Sequence, residues 1–179
     1  MADSSDNLAP GAGAGQAGQP QAVGLRMLAQ YVKDISFENP GAPNSLAHDP
    51  EPPKIEVNID VGVRQMGDDR YEVTIRCNAA AQKNDAPVFV VDVEFAGLFQ
   101  IQGAPQEALQ PILLIECPRV IFPFLRRVVA DLTRDGGFMP LLLDPIDFNG
   151  LYQQQMQARA DAQRTAEAQG IDTDDQRPN

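Results

Sequence analysis

Four segments of this 179-residue chain alternate apolar and polar residues with a period of two. No other feature constrains the fold as strongly. Successive side chains of a β-strand point to opposite faces, so the alternation predicts strands with one buried face each. The predicted strands cover residues 23–37, 54–64, 70–82 and 88–95. Short turns after the second and third strands predict antiparallel neighbours.

The first and fourth predicted strands differ in how their two faces are composed. In residues 23–37 every odd position except Lys33 is apolar, which predicts one dry face along the whole strand. In the fourth strand, Val88 and Val90 share the polar face with Asp92 and Glu94. A wet face does not need two valines, so they indicate a docking surface, unless β-propensity alone selected them.

The predicted helices follow the strands. Apolar residues at helical spacing predict a helix over residues 118–134, ended by Gly136 and Gly137. Asp147 is a candidate N-cap for a last helix, which is expected to fray beyond Gln157. The fold class is therefore α+β, a four-stranded antiparallel sheet followed by two helices.

The connections are also distinctive. Five prolines between residues 39 and 53 exclude regular strand or helix and predict a stiff crossover connection. Residues 96–111 are predicted to be loop with a short helical or irregular piece.

The two ends of the chain differ from its centre. Residues 1–22, rich in Gly, Ala and Gln, predict a disordered tail, and residues 158–179 predict a polar, acidic tail. One domain at residues 23–157 remains. The first residues lack a secretory signal, and no apolar run approaches the roughly 18 residues of a membrane span, so we expect a cytoplasmic protein without membrane insertion.

The net charge of −11 bears on the class of partner. Negative charge repels nucleic-acid phosphates and anionic lipids and attracts basic protein partners. The simpler alternative is that the charge only keeps the protein soluble.

Residues that carry chemistry are few. Cys77 and Cys117 lie in apolar segments and read as buried thiols rather than a disulfide, and His48 reads as a loop residue. Asp144 and Asp147 read as a turn residue and a helix cap. We therefore predict no catalytic site, metal or cofactor. A small hydrolase or ligand-binding domain would need convergent polar groups that the sequence does not assemble.

Binding has better support than catalysis. The strands hold more apolar surface than one good helix can cover, and the last helix is short of apolar positions. The remaining apolar surface predicts either self-association or a binding site.

Specific stretches resemble one family. They are YVKDISFENP at residues 31–40, residues 89–99, CPRVIFPF at residues 117–124, and GFMPLLLDPIDF at residues 137–148. Together they resemble SecB, the bacterial protein-export chaperone, over about residues 25–157. The resemblance implies a homotetramer, a dimer of dimers with helices between two sheets, that holds unfolded precursor proteins in apolar grooves and delivers them to the ATPase SecA. A chaperone dedicated to a single partner, such as an antitoxin, is the alternative.

Site residues follow from that resemblance alone. The acidic SecA contact of the family matches Asp34, Glu38, Val90 and Asp92. Its oligomer-packing face matches Val91, Val93 and Phe95. Its precursor groove suggests Leu46, Leu141, Leu143, Phe148, Leu151 and Tyr152, for which ordinary core packing is the equal alternative.

Overall fold

The computed structural model describes residues 23–47, 51–84 and 86–170, without the side chains of residues 163 and 166–170. The predicted tail at residues 1–22, His48, and the end of the predicted acidic tail at 171–179 lie outside the described residues. Four antiparallel strands form one sheet: β1 (Gly24–Glu38), β2 (Lys54–Gln65), β3 (Arg70–Lys83) and β4 (Ala86–Gln102). Their order across the sheet is β1-β4-β3-β2, so β1 and β2 are its edges.

β4 is much longer than the sequence predicts. It continues to Gln102 and pairs along its length with β1, from Gly24 opposite Gln102 to Glu38 opposite Val90. The prediction of loop over residues 96–102 was wrong. Ala96 and Gly97 weaken the local strand signal, but β1 and β3 on either side supply hydrogen-bonding partners for this backbone.

β1 does not keep one dry face. Its register shifts between Met27 and Ala29 and again between Val32 and Asp34. Each bulge adds one residue and reverses which face the following side chains reach. Tyr31 therefore lies on the opposite face from Met27 and Ile35. The prediction of strict alternation over residues 23–37 was wrong.

The main helix begins earlier than predicted. Helix α1 (Gln106–Pro111), a π-helical segment (Ile112–Glu116) and helix α2 (Cys117–Asp135) follow one another without a break. α2 packs across β3 and β4 and covers the central strands. The core lies between them, and its α2 side consists of buried Ile121, Phe122, Leu125 and Val129.

We call the sheet surface beneath α2 the helix face and the opposite surface the outer face. β3 obeys its predicted alternation on the helix face, where every odd residue from Tyr71 to Ala81 is buried. α2 ends at Asp135, Gly136 follows it, and Gly137 has a φ of 89°, a left-handed conformation that suits glycine at a helix end.

Helix α3 (Phe148–Gly170) follows and contacts the π-helical segment Ile112–Glu116. The backbone N–H of Asn149 donates to Asp147 Oδ1 at 3.1 Å, which confirms the predicted cap. The predicted end of the helix near Gln157 was wrong. The Ala-, Gln- and Arg-rich sequence beyond it favours helix by intrinsic propensity, and Arg164 pairs with Asp161 one turn earlier at 3.4 Å.

One stretch of helix has the length and composition of a membrane span. Residues Gln106–Asp135 form a continuous helical run, and only 33% of its most apolar window is buried within the chain. Core helices of soluble proteins have the same property, and this one packs on the sheet through one side. Its other side leaves apolar residues uncovered.

Candidate functional site

An acidic corner lies on the outer face where β1 and β4 meet. It comprises Asp34, Glu38, Val90 and Asp92. Glu38 is directly opposite Val90, and Ser36 is opposite Asp92. Neighbouring strands lie about 4.8 Å apart, so the register brings all four predicted residues onto one small patch.

The carboxylates of the acidic corner differ in the hydrogen bonds and ion pairs that they form within the chain. Asp92 accepts a hydrogen bond from Asn78 Nδ2 at 3.2 Å and lies 3.8 Å from Arg76 Nε. Asp34 and Glu38 are exposed and form no ion pair with any residue that the structure describes. Two free carboxylates, with the half-buried Val90 directly opposite Glu38, make a surface suited to a basic, partly apolar partner.

A network of charged side chains adjoins the acidic corner. Glu72 of β3 is only 4% exposed and accepts from Lys33 Nζ at 2.9 Å, Tyr31 Oη at 2.9 Å and Arg64 Nη2 at 3.1 Å. Lys33 Nζ also lies 3.0 Å from Glu94, which pairs in turn with Arg76 at 2.9 Å. The sequence pattern did not predict this network, because it depends on the bulges of β1.

The network shifts the pKa values of its members. Hydrogen bonds, chiefly from Lys33, lower the pKa of Glu72 to about 2 against the opposing effect of burial. Lys33 likewise lowers the pKa of Glu94, and Glu72 raises the pKa of Lys33. Both carboxylates and the ammonium are therefore charged at neutral pH.

The residues predicted for oligomer packing lie in the core. Val91 and Val93 are 0% exposed, and Phe95 stacks on Phe124 of α2 with ring centroids 6.4 Å apart. In the single chain these side chains contact α2, so a second copy reaches them only if α2 moves. These residues can therefore affect assembly only indirectly, by setting the position of α2.

Apolar residues on the helix face remain uncovered at both edges of the sheet. We call them the apolar margins. Their large exposed members include Leu25, Met27, Val32 and Ile35 of β1, and Ile55, Val57 and Val63 of β2. α2 contacts mainly the central strands and reaches β1 at few points, and the outer side of α2 adds exposed Val120. This is the leftover apolar surface that the sequence predicts.

A groove of about 890 Å³ opens at one end of the sheet. The crossover connection forms one wall through Ser45, Ala47 and Pro53, and the connection that follows α2 supplies Phe138 and Met139. Aromatic side chains form its floor. Phe89 and Phe138 have ring centroids 4.9 Å apart, and Phe37 lies behind them, 6.0 Å from Phe89.

None of the six predicted groove residues lines this groove. Leu143 and Phe148 are buried, and Phe148 packs edge-on against Phe122 at 5.8 Å, so both are core residues. Leu141, Leu151 and Tyr152 are half-buried against the same core. Leu46 is the exposed member and lies at the Gly137 turn, next to the crossover wall.

Sequence reasoning missed Phe89, Phe138 and Met139 as groove residues. Met139 is 88% exposed although it is apolar. The sequence does contain one indication. Phe138 and Met139 directly follow Gly136 and Gly137, which end the helix, so the pair lies in a connection where apolar residues are not needed to pack a helix.

No metal site is evident in the described ranges, where no three or more His, Cys, Asp or Glu side chains lie close enough together to hold an ion. Cys77 and Cys117 are free and buried, as predicted, and burial raises their pKa values to about 11 and about 12. Such thiols are poor nucleophiles and poor metal ligands.

Known proteins resemble this chain closely. The family model described as "Preprotein translocase subunit SecB" matches residues 18–159. A "Protein-export protein SecB" of Maricaulis maris is 52% identical over 150 residues, 84% of this chain and 87% of the relative. One of the same name from Caulobacter sp. K31 is 43% identical and covers 93% of this chain and 96% of the relative.

A solved structure shares the fold at greater distance. It is a SecB-like chaperone of Mycobacterium tuberculosis in complex with a peptide from the HigA1 antitoxin. The TM-score is 0.57 at 21% identity, covering 68% of this chain and 90% of that one. The sheet and the long helix above it match the fold of this structure. Because the sequence also matches the family model and these relatives over most of its length, the chain belongs to the SecB family.

Proposed function

We propose that this chain is a protein-export chaperone that holds unfolded secretory precursors in its groove and docks on SecA through its acidic corner. The observation that carries the proposal is the match to proteins named for protein export at 43–52% identity over most of the chain. The groove, the acidic corner and the apolar margins are the surfaces that support it.

The groove suits the holding of non-native chains. Unfolded polypeptides expose aromatic and aliphatic side chains, and apolar contact with the Phe89 and Phe138 floor is non-directional. Binding of this kind tolerates many sequences. Weak contacts at several points of one long chain then add through effective concentration.

Suppression of refolding tests the holding activity. We expect the protein to slow the refolding of a slow-folding precursor and Met139→Asp to weaken that effect, because the new charge lies in the groove wall. Leu142→Asp is the matched control, since Leu142 is 64% exposed on the same segment but does not line the groove. Absence of suppression by the unaltered protein would refute the holding function.

The acidic corner supports the proposed docking on SecA. Its two unpaired carboxylates favour a basic partner, and Val90, which lies opposite Glu38, adds a small apolar contact. We expect Asp34→Lys to weaken binding to SecA while precursor holding is retained. Equal SecA affinity of the variant and the unaltered protein would remove the corner from the docking site.

Assembly into a dimer of dimers is supported by the apolar margins. β1 pairs with β4 on one side only, and its other edge has no partner among the described strands. A long edge strand with apolar neighbours is protected in most proteins by pairing or covering. Pairing of two copies followed by stacking of their helix faces would bury both features.

The alternative, a chaperone dedicated to one partner such as an antitoxin, is less favoured. The SecB-like chaperone solved with an antitoxin peptide is only 21% identical to this chain, whereas the relatives named for export share 43–52%. A precursor-binding assay against several unrelated unfolded proteins separates the two, because a dedicated chaperone would hold only one of them.

A further inference from the structure

Lys33 is the extra residue in the second bulge of β1. The register passes directly from Val32 opposite Phe95 to Asp34 opposite Glu94, so Lys33 has no partner of its own on β4. Its ammonium contacts two carboxylates of the outer face, and Asp34 emerges on that face beside it. Two consecutive side chains on one face are the signature of a bulge.

This bulge decides which face receives the free carboxylates of the acidic corner. Tyr31 lies on the outer face, as its bond to Glu72 shows. Strict alternation from Tyr31 onward would place Ile35 outside and turn Asp34 and Glu38 towards the helix face. The single extra residue reverses that parity.

The bulge is held from two strands away. Lys33 Nζ reaches over β4 to Glu72 on β3 at 2.9 Å, and Tyr31 Oη reaches the same carboxylate at 2.9 Å. Both ends of the segment that precedes Asp34 are thus tied to one buried side chain. A slip of register would break the Lys33–Glu72 ion pair and leave a buried carboxylate without its charged donor. Because that state is unfavourable, the ion pair stabilises the observed register.

We propose that Lys33 and Glu72 are positioning residues for partner docking, because their ion pair fixes the bulge and so holds Asp34 and Glu38 on the outer face. This inference rests on the proposed docking of SecA at the acidic corner. Neither residue needs to contact the partner itself.

Lys33→Met gives a test in which two explanations predict opposite signs. Removing a cation beside the acidic corner makes the surface more negative, so simple electrostatics predicts tighter binding of a basic partner. Loss of the bulge predicts weaker binding instead, by about tenfold, because two contact carboxylates are misplaced. The dissociation constant for SecA, measured by titration calorimetry, decides between them.

Matched variants isolate the bulge. Arg64→Gln removes another ion pair of Glu72 without touching β1, since Arg64 lies on β2, and should leave SecA affinity within twofold of the unaltered protein. Lys33→Arg should restore most of the affinity that Lys33→Met loses. Amide hydrogen exchange of residues 31–38 should accelerate in Lys33→Met and not in Arg64→Gln. If Lys33→Met fails to fold, Lys33→Gln, which removes the same positive charge, takes its place in the same comparison.

The outcomes separate the two proposals. If Asp34→Lys weakens SecA binding but Lys33→Met, or Lys33→Gln in its place, leaves it unchanged or tighter, the positioning role is overturned while the docking site stands. If Asp34→Lys has no effect, the docking site itself is wrong. Weakened binding in Lys33→Met, rescued by arginine and absent in Arg64→Gln, supports the positioning role.

Discussion

At the residue scale, Glu72 combines burial with full charge. Lys33 is its strongest partner, and Tyr31 and Arg64 complete its hydrogen bonds, so the ionised form is stable although the side chain is almost inaccessible. Sequence alternation places Glu72 on a polar face but gives no sign that the face is covered there. The cover comes from the side chains that the bulges of β1 bring across β4.

The lowered pKa of Glu72 gives the folding stability a pH dependence. A carboxyl whose pKa falls from 4.5 to about 2 on folding stabilises the native state above pH 4.5 and loses that contribution as the pH falls towards 2. We therefore expect Glu72→Gln to be less stable than the unaltered protein at neutral pH, with the difference shrinking steadily below pH 4.5. Urea unfolding across this range measures it, and a difference independent of pH would contradict the assignment.

The two thiols should be inert in the native protein. Burial raises the pKa values of Cys77 and Cys117 to about 11 and about 12, so almost no thiolate is present at neutral pH. We expect no reaction with an aromatic disulfide reagent until urea unfolds the chain, when both thiols react. Fast labelling of either cysteine without unfolding would show that the core opens locally.

At the scale of elements, the fit of α2 on the sheet depends on Gly97. A Cβ at this position would lie 2.6 Å from Phe99 Cε2 and 2.8 Å from Ile121 Cγ2, closer than atoms can approach. The glycine lets α2 approach β4 at the centre of the core. The sequence shows the glycine but not the helix that requires it.

Gly97→Ala should therefore destabilise the protein. Phe99 and Ile121 are both 0% exposed and have little room to move, so overpacking is expected to cost about 1–3 kcal/mol of unfolding free energy. Gly62→Ala is the control, because a Cβ there meets nothing within 4 Å. Chemical denaturation of both variants gives the comparison, and equal stabilities would show that α2 does not press on this site.

At the scale of the whole molecule, the single chain leaves its apolar margins uncovered. Ile35 is 46% exposed on the helix face, whereas its neighbour Ser36 lies on the outer face opposite Asp92. Because the two residues are adjacent but lie on opposite faces, a charge introduced at each of them shows whether assembly uses the helix face.

Ile35→Glu should reduce the mass of the assembly, because a charge would be buried where the apolar margins meet. Ser36→Glu introduces the same side chain one residue away and should leave the mass unchanged. Light scattering of the two variants and the unaltered protein provides the measurement. The assembly model fails if Ile35→Glu retains the mass of the unaltered protein.

The sequence by itself determined the four strands, the antiparallel α+β class, the buried sides of β3 and β4, the cap at Asp147 and the family. These depend on period-two and helical patterns and on local stretches, which act over a few residues. Only the tertiary structure decided the length of β4, the two bulges of β1, the Lys33–Glu72 pair and the aromatic floor of the groove. Each of these joins residues far apart in the chain. The energy that fixes them comes from contacts across strands, which no local pattern records.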